Sequence, residues 1–341
     1  MGIKHWQLYS LREQLQLLDI ASAKKSLPRL AVEKDWWVTM TLLALSKTKY
    51  AELMSLKGGT SLSKAWSLIG RFSEDIDIAL RRGGRFSISG VSGSQLAKAR
   101  RVARHYVIRE LPEELSTQLR ALGIGDFVIE PETSREKEGI SYELRADTHP
   151  SVIYIRYKSI VPEMSGYLSP RVKMEFSCLS MDEPVMPRAI ISFISEVVPN
   201  ADSPSVTFNA VLPSRTFLEK IFLLHEEFQR IHPRSLRMSR HLYDIERIMD
   251  TEFGRSALRD RKLYDDIVKH RSIFNHLDAV NYNNHSPATI NFIPPDSVIE
   301  VWRKDYESLT RDFLYREGGT HLTFDELIAR IQILQNRIRE M

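Results

Sequence analysis

Apolar residues recur at helical spacing in two stretches near the start of the chain: Leu8, Leu11, Leu15 and Leu18, then Val32, Trp36, Met40 and Leu43. A period of three to four predicts helices over 4–25 and 31–47. The pattern then shortens. MSLKGGTSLSKAW passes from a brief apolar run through Gly58-Gly59 into a helix that Thr60 or Ser61 can cap, and RFSEDIDIAL follows as a strand with Ile76, Ile78 and Leu80 alternating. After the Gly/Ser-rich GGRFSISGVSGS come a long helix at 94–122 and strands near 126–130, 152–158 and 171–179. From about 213 only amphipathic helices are predicted, at 215–230, 236–250, 257–275, 297–315 and 323–340, broken by NYNNHSPATINFIPPD. The chain thus divides at VPNADSPS into a mixed α/β lobe, 1–200, and a helical lobe, 201–341. No internal repeat is visible.

Composition narrows this little. The 341 residues suit about two domains. An ordinary share of hydrophobic (43%) and charged (27%) residues excludes collagen-like and disordered classes. The single cysteine, Cys178, excludes an internal disulfide and multi-cysteine metal sites, which fits a reducing compartment. It sits among apolar residues of a predicted strand and reads as core. The N-terminal stretch lacks the apolar heart of a signal peptide, and no run reaches the roughly 20 apolar residues of a membrane helix, so a cytoplasmic protein is expected. Lys and Arg (48) exceed Asp and Glu (44) by only four. The surplus is local, however: QRIHPRSLRMSRH, 229–241, carries Arg230, Arg234, Arg237 and Arg240 with no acid, and the helix at 94–122 adds Lys98, Arg100, Arg101, Arg104 and Arg109. Runs of this kind are commonly solvated faces, but next to a phosphate-handling site Arg forks suit phosphate oxygens.

The chemistry gathers around residues 57–80. Asp75 and Asp77, two apart on a strand, project from one face while Ile76 and Ile78 project from the other. Two neighbouring carboxylates repel unless a cation lies between them, and oxygen-only donors suit Mg²⁺ or Mn²⁺. Upstream, Gly58-Gly59-Thr60 opens a helix with bare backbone N–H groups for phosphate. The fifteen residues from Thr60 to Asp75 allow a helix of about eleven residues and a return turn. In RVKMEFSCL, Glu175 and Lys173 share one strand face, opposite Val172, Met174 and Phe176. Three carboxylates and a glycine cradle compose a site for attack on the α-phosphate of a nucleoside triphosphate.

KGGTSLSKAWSLIGRFSEDIDIAL, residues 57–80, resembles the Gly–Gly–Ser/Thr … Asp–x–Asp signature of polymerase-β-type nucleotidyltransferases, in particular the AbiEii/AbiGii abortive-infection toxins. More loosely, Glu175 resembles the third acidic position, Lys220 in RTFLEKIFLL a helix lysine, and Asp244 in SRHLYDIERI an aspartate of that family. The resemblance implies an α/β (α+β) polymerase-β-like lobe with a mixed sheet, followed by an all-helical lobe that brings Lys220 and Asp244 to a shared cleft. It implies that Gly58, Gly59 and Thr60, flanked by Lys57 and Lys64, hold the triphosphate together with Arg240. Asp75, Asp77 and Glu175 would bind Mg²⁺ or Mn²⁺, Lys220 would steady triphosphate charge, and Asp244 would orient that lysine or the acceptor. The function implied is a phage-defence or toxin–antitoxin toxin that transfers a nucleotide to RNA, foremost a tRNA 3′ end, with a cognate antitoxin and no membrane role. Transfer to a protein or small molecule, and a catalytically silent nucleotide-binding module, are the alternatives.

Plainer readings compete at each position. Glu175 could be an edge-strand ion pair with Lys173 or Lys158, and Lys220 a surface lysine. Asp244 could be an ordinary helix ion pair with Arg240 or Arg247. Trp36-Trp37 could be a stacking platform, although on an apolar helix packing is the commoner use. No P-loop, dinucleotide fingerprint or H-E-x-x-H pair is present.

Overall fold

The computed structural model describes residues 6–162, 168–199, 201, 205–315 and 321–341. Two units separate by their internal packing: Met1–Ala65 with Phe72–Ala210, and Trp66–Arg71 with Val211–Met341.

The first unit is built on a mixed sheet of strands β1 (Met54–Lys57), β2 (Asp75–Leu80), β3 (Phe127–Pro131), β6 (Ser151–Tyr157), β7 (Arg171–Ser177), β8 (Val185–Ile190) and β9 (Val206–Val211), in the order β3-β6-β7-β2-β1-β9-β8. A separate hairpin pairs β4 (Ser134–Lys137) with β5 (Ile140–Glu143). β2 runs parallel to β7 and antiparallel to β1, and β1 runs parallel to β9. Strict alternation on β7 buries Val172, Met174 and Phe176 and leaves Lys173 and Glu175 half-buried, the period-2 pattern of a strand with one face on the core.

Helices α1 (Leu11–Lys25), α2 (Arg29–Leu45), α3 (Gly58–Thr60), α4 (Gly93–His105), α5 (Leu111–Ala121) and α6 (Phe193–Val197) complete this unit. α1 and α4 start on reciprocal caps, Ser10 with Glu13 and Ser92 with Gln95, each satisfying two otherwise bare N–H groups. α2 is buried along almost its whole length, including Glu33, Lys34 and Asp35. Trp36 and Trp37 belong to this interior: Trp36 packs on Trp6, and Trp37 stacks on Tyr157 with ring centres 4.6 Å apart, so the pair is packing and not a stacking platform.

The second unit is helical: α7 (Pro213–Glu227), α8 (Ser239–Met249), α9 (Glu252–Arg259), α10 (Arg261–Phe274), α11 (Ile299–Phe313) and α12 (Phe324–Arg339). The helix expected at 257–275 is two, because Asp260 leaves the helical conformation and its side chain caps α10 at Leu263. The break expected at 200 falls in part outside the described residues, at 200 and 202–204. The sheet unit extends ten residues further, since β9 follows the Pro/Asn-rich stretch and pairs through Ala210 with Leu56. Among the described residues no helix is long and apolar enough to cross a membrane.

Candidate active site

In the sheet unit, β1 ends at Lys57 and the chain turns at Gly58 with φ +72°, a conformation L side chains rarely adopt. A Cβ at Gly58 would lie 2.1 Å from Oδ2 of Asp77, so the absence of a side chain is what lets the Asp77 carboxylate rest against the turn. The helical segment that follows is one α turn, Gly58–Thr60, and one π turn, Ser61–Ala65. It is shorter than the spacing suggested because the next residues, Trp66–Arg71, pack with the helical unit.

Strand register assembles the carboxylates. Asp77 lies beside Glu175 on β7 and beside Lys57 on β1, while Asp75 lies beside Lys173. The Lys57 ammonium donates to Ser177 Oγ at 3.2 Å, and that of Lys173 donates to Glu175. Burial works against the Lys173 charge, but Glu175 and Asp75 outweigh it and hold its pKa above the ordinary lysine value. The sequence therefore places three acids on this face, and the fold intersperses two lysines among them.

Among the described residues no three Asp, Glu, His or Cys side chains gather closely enough to hold a metal ion. The donor chemistry of Asp75 and Asp77, hard oxygens on one strand face, fits a divalent cation. Glu175 is not gathered with them as a third ligand: the lysine two residues away on the same face holds its carboxylate, the ion pair that a plain reading of β7 anticipates.

Two residues expected at the phosphates are turned inward. Thr60 is fully buried; its hydroxyl donates to the Asp75 carbonyl and lies 3.1 Å from Ser73 Oγ, tying the glycine turn to the start of β2. The Lys64 ammonium is 2.5 Å from Asp35 Oδ1 in a buried ion pair, and Asp35 also accepts from the Phe193 N–H at 2.7 Å. Four residues apart on the short helical segment, they share its inward side. Cys178 is core: burial pushes its thiol up to about 11, leaving it protonated at neutral pH. Its neighbour His149, with Nδ1 3.8 Å from the sulfur, is pushed down to about 4 by burial and then by Lys57 and Arg100, so it is neutral.

In the helical unit Lys220 on α7 and Asp244 on α8 meet, with Nζ to Oδ2 at 3.0 Å. Both are buried, so neither is a surface charge. Asp244 also takes two bonds of 2.7 Å from outside its own helix, Arg71 Nε to Oδ1 and Arg71 Nη2 to Oδ2. Burial alone would raise the Asp244 pKa; Arg71 and Lys220 more than offset it and hold the group far below the usual carboxylate range. Burial lowers the pKa of Lys220, with Asp244 opposing. His241, 3.4 Å from Lys220 through Nδ1, is driven well below its ordinary value by burial, Lys220 and Arg240, and stays neutral. Arg240 itself is half-buried on the same helix.

Sequence reasoning missed Arg71. Its partner lies 173 positions away, and the segment SLIGRF has no periodicity that would mark a buried guanidinium. The run at 229–241, acid-free in sequence, is supplied with acids from elsewhere: Glu227 takes Arg234 at 2.6 Å, and Asp305 takes the backbone N–H of Ser239 at 2.9 Å.

No curated protein sequence matches the chain. Among solved structures it is similar to the MenT4 nucleotidyltransferase toxin from Mycobacterium tuberculosis H37Rv, with 16% identity over 95% of this chain and 97% of that one and a TM-score of 0.42. The family model described as nucleotidyl transferase AbiEii toxin, type IV TA system, matches residues 41–330, a span that holds the glycine turn, the carboxylate strands and the Lys220–Asp244 pair. The chain belongs to the AbiEii family of nucleotidyltransferase toxins of type IV toxin–antitoxin systems.

Proposed function

We propose that this toxin transfers a nucleoside monophosphate from a Mg²⁺-bound nucleoside triphosphate to an RNA hydroxyl, the 3′ end of a tRNA, releasing pyrophosphate and blocking translation. The observation that carries the reading is the row formed by Asp77 beside Glu175 in register, with Asp75 two residues before and the bare Gly58 turn against Asp77. Asp75 and Asp77 would hold the cation, which supplies charge neutralisation at the phosphates and activation of the acceptor hydroxyl. The half-buried Gly58 backbone, which carries no side chain, would meet phosphate oxygens, with Lys57 beside it, whereas Gly59 is buried. Glu175 takes the acceptor's proton once it exchanges its bond to Lys173. The exposed cations of the long helix, Lys98, Arg101 and Arg109, suit an RNA backbone. Such a reaction runs in the cytoplasm, and the family's type IV context pairs the toxin with a cognate antitoxin.

Asp75→Asn and Asp77→Asn test the reading. Each is expected to abolish nucleotide transfer in vitro while circular dichroism and thermal midpoint stay close to wild type. Labelled triphosphates incubated with total RNA and with protein extract identify the acceptor: label in tRNA is expected. Full transfer by the double variant refutes the mechanism, and label confined to protein refutes the RNA acceptor.

A further inference from the structure

The inward stripe of α4 carries a cation. Leu96 and Ala103 are buried, and Arg100, four residues after the first and three before the second, lies on the same stripe. Arg100 is half-buried, and its guanidinium Nε is shut away from solvent with no hydrogen-bond partner among the described residues. Its neighbours on the helix settle their charge differently. Lys98 and Arg101 are exposed, and Arg104 donates to the Glu132 carbonyl at 3.0 Å. No carboxylate among the described residues pairs with Arg100. A guanidinium partly withdrawn from water without a counter-charge is costly, and an apolar side chain would serve the stripe better unless an anion joins it.

The groups around Arg100 are donors. His149, two residues before β6, holds Nδ1 3.8 Å from Cys178 Sγ. The thiol stays protonated and can donate to Nδ1, which leaves the ring proton on Nε2. Arg100 lies close enough to act electrostatically on both this ring and the thiol, and Lys57 acts on the ring as well. Lys57 in turn donates to the hydroxyl of Ser177, the residue before Cys178, and leads directly into the Gly58 turn. Glu175, the acid that acts on the His149 ring, is already held by Lys173. The ends of β1 and β7, the approach to β6 and the inward stripe of α4 thus bring a guanidinium, an ammonium and an imidazole N–H together, all four segments belonging to the sheet unit. Two cations without carboxylate partners and one neutral donor suit a phosphate group, whose oxygens accept from an arginine fork in pairs.

We propose that Arg100 binds the triphosphate: with Lys57 and the His149 imidazole it forms a phosphate subsite beside the Gly58 turn. The inference rests on the reading of that turn as the place where phosphate oxygens dock. Lysine can replace Arg100 only in part, because an ammonium is a point donor without the planar two-bond fork.

The test uses the purified full chain with Mg²⁺, calorimetric binding of inorganic triphosphate, and steady-state kinetics with the nucleotide varied. In Arg100→Gln the dissociation constant for inorganic triphosphate and the KM for nucleotide are expected to rise roughly tenfold or more, the scale of one hydrogen bond to a charged group, while kcat falls less. Arg100→Lys is expected to lie between wild type and Arg100→Gln. The thermal midpoint of Arg100→Gln is expected to stay level or rise, since a half-buried charge with no carboxylate partner is removed. A merely structural arginine would give the reverse, a lowered midpoint with unchanged triphosphate affinity, and that result overturns the proposal. Weakened binding of tRNA with wild-type affinity for inorganic triphosphate overturns it too, placing Arg100 on the acceptor. Should Arg100→Gln fail to fold, Arg100→Lys carries the test, and wild-type triphosphate affinity in it overturns the proposal equally. If the wild-type chain itself binds no inorganic triphosphate, the reading of the glycine turn falls and the subsite with it; if wild type binds and Arg100→Gln binds equally well, only the role of Arg100 falls.

Discussion

Gly58 shows how much one missing side chain decides. An alanine there would need the left-handed backbone at φ +72° and would put its Cβ 2.1 Å from Asp77 Oδ2. The backbone cost alone is about 1–2 kcal/mol, but the clash matters more, because the carboxylate must move. Displacing a reacting group by about 1 Å costs on the order of a hundredfold in rate. Gly58→Ala is therefore expected to lose at least that much kcat with only a modest drop in thermal midpoint. Wild-type turnover in this variant would mean that the turn does not position Asp77. This residue was legible from sequence because a Gly–Gly before a helix has few uses. Thr60 and Lys64 were not: their types suit phosphate, and nothing in their spacing tells which side of a short, partly π-helical turn faces inward. Glu175 was half legible. Alternation placed it on the correct face of β7, yet the lysine sharing that face, visible from the start, is the partner it takes.

At the scale of elements, α2 explains where Lys64 goes. Glu33, Lys34 and Asp35 are consecutive, so no single helix face can hold all three, and an amphipathic helix would leave at least one in water. Here other segments come to them. Glu33 accepts from the Ile160 N–H at 2.8 Å and from Ser159, Lys34 pairs with Glu74 at 2.5 Å, and Asp35 pairs with Lys64. Breaking one such buried pair by removing one partner costs about 3–5 kcal/mol. Lys64→Met is expected to lower unfolding free energy by that amount in urea, with Lys64→Met/Asp35→Leu recovering much of it. The opposite result, normal stability with weakened triphosphate binding, would return Lys64 to the phosphate site. Most helix periodicities were readable to within a few residues, since apart from α2 the long helices bury one stripe, although the helix expected at 4–25 starts only at Leu11 and that expected at 257–275 is two. The strands β4, β5, β8 and β9 were not, being short and mixed in polarity, so that pairing partners and not local pattern define them.

For the whole molecule, linear order misleads in one respect and helps in another. The boundary drawn at a composition break ignores β9, which joins the sheet through its partner strand, and the strap Trp66–Arg71, too short to show a pattern, belongs to the helical unit although both flanks belong to the sheet. Charge, by contrast, was informative once resolved along the chain. The net surplus of four is small, and the 229–241 run is partly neutralised by Glu227. From Gly93 to Arg109 the chain holds no acid, and Lys98, Arg101, His105 and Arg109 are exposed there, whereas Arg104 turns inward to donate to the Glu132 carbonyl at 3.0 Å. If this stripe meets RNA phosphates, each contact releases condensed counterions, and log K against log salt steepens by about 0.7–0.9 per phosphate. Replacing Lys98, Arg101 and Arg109 together by Gln is expected to weaken tRNA binding and to flatten that slope by roughly two to three, while KM for the triphosphate stays unchanged. An unaltered slope in the triple variant would place the RNA elsewhere on the molecule, and a change in nucleotide KM without a change in slope would make these cations part of the triphosphate site.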